Sequence, residues 1–293
     1  MFTSTHTKTA RIGKFMDLRT DFAFKKIFAT EQHKELLIAF LNQVFKGKKK
    51  ILDITYQQTV HTGDTAEARS TVFDIRCTGS RGEEFIIEMQ RAAQPHFSKR
   101  MLCYSSALVT ELTERGQLWD FNLPEIYLVA VVDFHIQQFD SARCLHHWQW
   151  YYDDPDHHTA LDSHGFFIVE LPKFNKETTE LETEFDKWCY LFKHLGELDE
   201  IPVSLSTGAL KKLFSLAEVS NLSKEEYTMY QYSLLAKQSD YAARQYAREQ
   251  GEKEGIEKTI RGLLALDTIS VTEISKATGW SEEAIQKIKD SIK

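Results

Sequence analysis

The stretch IYLVAVVDF, Ile126 to Phe134, constrains this chain most. A strand with one wet face alternates apolar and polar residues, because successive side chains point to opposite sides. Here no polar residue interrupts the run before Asp133. A strand that is apolar on both sides has to be covered on both sides, as the inner strands of an α/β sheet are. The run is far too short to span a membrane. Ahead of it, Phe97 to Thr113 carries a helical pattern, and Glu83 to Arg91 reads as a strand. A helix between two strands points to a mixed sheet with flanking helices, an α/β fold.

The 293 residues can house one large domain or two smaller ones. Hydrophobic residues are 42% and charged residues 27%, which excludes a largely disordered chain. Lys+Arg number 36 against 43 Asp+Glu, a net charge of -7. A uniformly basic nucleic-acid coat is thereby excluded, and any such contact needs a local patch. Cys77, Cys103, Cys144 and Cys189 are scattered without a CxxC pair. Reduced thiols and a cytoplasmic location are expected, with no membrane partner. The opening MFTSTHTKTARIGK lacks the apolar centre of a signal peptide.

Residues 1–14 read as a flexible tail and 15–200 as the main domain. Residues 201–255 read as a helical connector and 256–293 as a small helical module. Asp17 to Phe45 carries apolar residues at helical spacing, as one helix or a broken pair, closed by Gly47 and its lysines. Ile51 to Val60 reads as a strand, followed by the polar loop HTGDTAEA. The segments 143–152 and 166–171 extend the sheet, and 177–195 is helical. Near the end, Ser270 with Glu273, and Ser281 with two glutamates, mark two helix starts separated by Gly279.

The chemistry sits on the hairpin from Ser70 to Arg91. Alternation puts Val72, Asp74 and Arg76 on one face and Phe73, Ile75 and Cys77 on the other. On the next strand Ile86, Glu88 and Gln90 share a face. A three-residue loop, Ser80 to Gly82, sets the register, with Gly82 in the left-handed position such loops favour. Asp74 then lies opposite Glu88, their Cβ atoms about 4.5–5.5 Å apart. Two carboxylates that close need a shared proton or a cation between them. Oxygen donors suit a hard ion, Mg²⁺ or Mn²⁺, and the Met89 carbonyl can add another oxygen. The Gln90 amide can orient a metal-bound water. This is the layout for metal-assisted phosphodiester hydrolysis. Lys25, Lys26, Arg91, Lys99 and Arg100 can supply a basic rim for phosphate contacts.

Asp74 in VFDIRC and Glu88-Met89-Gln90 in IIEMQR resemble the core motif of the PD-(D/E)XK nuclease superfamily. More narrowly they resemble the Rpn family of recombination-promoting nucleases, the PD-(D/E)XK family transposases. TDFAFKKIF, HFSKRMLCYSSAL, IVELPKF, DKWCYLFK and the Gly-spaced tail around REQGEKEG are similar to further family segments, from about residue 17 to the C-terminus. The resemblance implies a restriction-endonuclease-like core followed by a helical C-terminal region. It implies a divalent-metal-dependent DNA endonuclease linked to recombination or mobile elements. Asp74 and Glu88 would be metal ligands, Gln90 would replace the usual Lys, and Asp21 would join the site. Because Gln90 carries no charge, Lys25 or Arg100 would supply the missing cation.

Rival readings are a non-catalytic DNA-binding or recombination-accessory protein, and an interaction protein acting through its helical tail. KGKKK reads as a solvated helix end rather than a DNA contact. His146, His147, His157, His158 and His164 match no standard zinc spacing. The two C-terminal helices suit protein contact better than groove reading, since Glu282 and Glu283 open the second one. A homodimer is expected, because a double-strand break needs two sites.

Overall fold

The computed structural model describes residues 12–61, 71–93, 96–113, 122–136, 142–154, 157–266 and 268–292. Of the segment 1–14, residues 1–11 fall outside that set; the Lys14 carbonyl already accepts a backbone bond from Val219. The loop HTGDTAEA lies outside it too, apart from His61.

The periodic opening forms two helices, α1 (Asp21–Phe28) and α2 (Lys34–Val44), with a short 3-10 turn between them. Thr20 caps α1, its hydroxyl accepting from the Ala23 N–H at 3.3 Å. Gly47, at φ 78°, turns the chain away after α2. Five short strands follow: β1 (Ile54–Tyr56), β2 (Val60–His61), β3 (Thr71–Val72), β4 (Ile75–Gly79) and β5 (Glu84–Gln90). Then come α3 (Phe97–Leu112), β6 (Ile126–Val132), β7 (Leu145–Asp154), β8 (His157–Glu170), α4 (Glu184–His194) and α5 (Gly208–Ala217). The chain closes with α6 (Lys224–Ala265), α7 (Val271–Thr278) and α8 (Glu282–Ile292).

Six strands make one sheet in the order β1-β4-β5-β6-β8-β7, and β2-β3 form a separate ribbon. β5, β6 and β8 are mutually parallel; the other pairs are antiparallel. As its composition requires, β6 is covered on both faces. On one side Leu128, Ala130 and Val132 pack with Ile86 of β5 and with Phe97, Met101 and Leu108 of α3. On the other, Val129 and Val131 join the core built by α1, α2, α4 and α5. An aromatic knot anchors that layer: Phe28, Phe40, Trp188 and Phe192 lie with ring centroids 5.1–6.2 Å apart. Such pairs add to the area they bury.

Two expectations need correction. The strand read over Ile51 to Val60 divides into β1 and β2, which belong to different sheets. Phe73 does not share a face with Ile75 and Cys77: it packs under α3, its ring 5.5 Å from Tyr104. The cause is a break in the ladder. β3 ends at Val72 and β4 begins at Ile75, and the Phe73 N–H bonds Thr59 instead, so alternation does not carry across.

The chain divides into two compact units, Met1–Leu234 and Leu235–Lys293. The second has its own small core of Ile260, Ile274, Ile285 and Ile288. Ser270 and Glu273 form a capping box on α7, and Gly279 ends that helix at φ 72°. Among the described residues no helix is long and apolar enough to cross a membrane.

Ser80, Arg81 and Gly82 form the tip of the β4–β5 turn, closed by the Gly79 N–H to Glu83 carbonyl bond at 2.7 Å. Gly82 has φ 84°, and a Cβ added there meets nothing within 4 Å. Gly82→Ala is therefore expected to cost about 1–2 kcal/mol, through backbone strain and not through packing. Urea unfolding of the variant checks this; an unchanged midpoint refutes it.

Candidate active site

The hairpin register is Ile75 opposite Ile87, Arg76 opposite Ile86 and Cys77 opposite Phe85. That pairing ends at Ile75, and just beyond it Asp74 lies beside Glu88. Two hydrogen bonds fix the pair. The Asp74 N–H donates to Glu88 Oε1 at 3.3 Å, and the Met89 N–H donates to Asp74 Oδ2 at 2.8 Å. The second bond follows from the ladder ending at Ile75: the Asp74 carboxylate takes the main-chain donor that a longer β4 would have used.

Both acids are poorly hydrated. Glu88 is buried and Asp74 is half-buried. Burial pushes the Asp74 carboxyl above its ordinary value, against the Met89 N–H and the charge of Lys25. Burial first, and then the Asp74 charge, push Glu88 upward as well. Two cations lean the other way. Lys25 Nζ sits 3.8 Å from Asp74 Oδ1 and 2.8 Å from Asp21 Oδ1. The charges of Lys25 and Arg100 each favour the ionised form of both acids. The helix α1 thus brings Asp21 and Lys25 to the end of β5 from one side, and α3 brings Arg100 from the other.

The Gln90 amide has a partner at each end. Its Oε1 accepts from Arg100 Nη2 at 2.7 Å, and its Nε2 donates to the Ala92 carbonyl at 3.2 Å. Arg100 also lies 5.5 Å from the ring centres of Phe97 and Tyr104. Tyr104, on the α3 segment that resembles the family, has its hydroxyl raised by burial, with the charges of Glu88 and Asp74 adding to the rise against that of Arg100. Arg91 is half-buried just after β5, and Lys99 is exposed on α3. Lys26 lies elsewhere, paired with Glu226 at 2.5 Å. Arg76 is spent on Glu84 and Glu111.

In register with Gln90 come Val132 and then Glu170 across β6 and β8. The fully buried Glu170 takes His135, His146 and Lys173 at 3.0–3.2 Å. His146 is therefore committed to a structural contact. Among the described residues no three or more His, Cys, Asp and Glu side chains gather around a metal-sized space. The side-chain donors at the hairpin are two carboxylates. That set is hard, negatively charged and short of compensating cations, so it fits a hard divalent ion that keeps several waters.

The family model for PD-(D/E)XK nuclease family transposases matches residues 18–247. The chain belongs to that family. The match takes in α1, the hairpin and α3; residues 248–293 lie beyond it, although the motif resemblance extends into them. No curated protein and no solved structure gives a significant match.

The raised carboxyls have a linkage consequence. A folded pair that holds protons more tightly than the unfolded chain loses stability as pH climbs out of the ordinary carboxylate range. In metal-free buffer, Glu88→Gln is expected to gain stability relative to wild type as pH rises from about 4 toward neutrality. The gain is about 1.4 kcal/mol for every tenfold by which folding tightens the carboxyl's hold on its proton. Thermal melts of both proteins across that range check it. Parallel pH curves contradict the assignment.

Proposed function

We propose that this protein is a divalent-metal-dependent DNA endonuclease that hydrolyses phosphodiester bonds and serves recombination or mobile elements. The observation that supports the reading is the pair of hydrogen bonds joining Asp74 to Glu88 and to the Met89 N–H, in a poorly hydrated corner near Lys25 and Arg100. Family membership supplies the reaction class: a nuclease, with DNA as substrate.

In this reading Asp74, Glu88 and the Met89 carbonyl hold Mg²⁺ or Mn²⁺. A divalent ion held there would supply Lewis-acid chemistry toward a phosphate oxygen and a water. The chain's own residues do the rest. Arg100, fixed by Gln90, and Lys25, fixed by Asp21, place positive charge where the phosphate gains negative charge. Gln90 is thus a positioning residue, and Arg100 takes the role that a Lys at position 90 would fill. Arg91 and Lys99 contact flanking phosphates, which makes DNA binding salt-dependent. A homodimer brings two such sites to the two strands.

Purified protein is expected to nick supercoiled plasmid only with Mg²⁺ or Mn²⁺. Asp74→Ala and Glu88→Ala should each lower the rate at least about 100-fold, on the scale of losing a principal charge-stabilising group. Nicking by both variants at the wild-type rate would sink the enzyme assignment. Manganese should also raise the melting temperature of wild type, through ligand linkage, and not that of the double variant Asp74→Asn/Glu88→Gln. An equal rise in both argues against these ligands. Arg100→Ala and Gln90→Ala are expected to impair turnover together, and Gln90→Ala should lose little in an Arg100→Ala background. Additive losses in the double variant contradict the positioning role.

A further inference from the structure

At the other end of the same strands lies a second concave feature. A cavity of about 500 Å³ is lined by Lys48, Lys49 and Lys50 after α2, Arg81 of the hairpin loop, and His147 and Phe167 of the β7–β8 pair. Glu125 and Tyr127, at the start of β6, also border it. The acidic pair sits near the end of β5 and this cavity beside its beginning, roughly 15–20 Å away at 3.3 Å per residue.

The cavity's charge is set by which cations are already spent. Lys49 pairs with Glu83 at 3.1 Å and with Glu125. Arg81 pairs with Glu83 at 2.9 Å. These two cations therefore balance the two carboxylates. Lys48 and Lys50 are exposed and, among the described residues, have no ion-pair partner, so they leave a positive surplus in a chain of net charge -7. The wall is aromatic: the His147 ring stacks on Phe167 at 4.2 Å and 22°. Burial, and then the charge of Lys48, hold His147 well below its ordinary value, at about 4, so the ring is neutral at physiological pH. A concave site of this volume is in the range that takes small ligands. Lysines recognise phosphate as point charges, and a neutral ring offers a stacking face to a base.

We propose that this cavity is a nucleotide-binding site, separate from the acidic pair, in which Lys48 and Lys50 take the phosphate and the His147 ring, backed by the buried Phe167, takes the base. The ligand is a phosphorylated nucleoside, supplied either free or as an unpaired residue of a DNA strand. Neither source depends on the cleavage reading, since no metal and no hydrolysis enter.

Calorimetric titration of the full-length protein without divalent metal tests it, with deoxyadenosine monophosphate, deoxyadenosine, inorganic phosphate and a short single-stranded oligonucleotide as probes. Saturable binding is expected for the monophosphate, for the oligonucleotide, or for both. The monophosphate alone binding marks a free nucleotide as the source, and the oligonucleotide alone marks a strand. Lys48→Glu/Lys50→Glu is expected to weaken whichever binds at least tenfold while leaving the thermal unfolding midpoint unchanged. His147→Ala should erase the preference for the nucleotide over inorganic phosphate. The Asp74→Asn/Glu88→Gln variant should bind as wild type does, which separates this site from the catalytic one. No saturable binding by either nucleotide probe, or equal affinity in the lysine variant, overturns the proposal.

Discussion

Repulsion between two half-desolvated carboxylates organises the working end of this molecule. Asp74 and Glu88 are brought together where the hairpin pairing ends, by two main-chain donors that each meet one of their carboxylates. Something must answer that charge, and the surrounding architecture supplies it. The helices on the two faces each deliver one cation, Lys25 and Arg100, to the same point. The two cations only partly succeed, since both acids still sit above their ordinary values. That remaining deficit is what a divalent ion would fill. The fold therefore holds a site strained in its electrostatics.

The mixed sheet explains why the strain is located there. The parallel trio β5, β6 and β8 forms the rigid centre, with β6 buried on both faces. β4 stops short of the end of β5, at Ile75. A gap in the ladder opens beside residues 88–90, and Asp74 fills it with a side chain. At the opposite end the strands begin among lysines and aromatic rings instead. One sheet thus carries an acidic end and a basic end, separated by its own length.

Much of this was legible in the sequence, and the reasons are local. The all-apolar IYLVAVV demanded a doubly covered strand, and the Ser80 to Gly82 loop fixed a register to within one residue. The caps at Ser270 and Gly279 were equally readable, because their bonding partners are near in sequence. Other features were not. Period-2 reasoning carried Phe73 to the wrong face, since nothing in TVFDIRC announces that the ladder breaks there. The Gln90 amide reads as free until α3 is in place, because its partner Arg100 arrives from a helix. Lys49 reads as a solvated helix end, yet its charge is met by Glu83 and Glu125, which lie far along the chain. Pairing over such distances has no signature in local pattern.

The bond between Gln90 and Arg100 has an evolutionary corollary. An ammonium at position 90 would confront the guanidinium it now steadies, and like charges at that range repel. Substitution at either site therefore changes the fitness of substitution at the other. Lineages that place a Lys at this strand position would be expected to lack the helix Arg, so the two sites should drift as a correlated couple rather than one at a time.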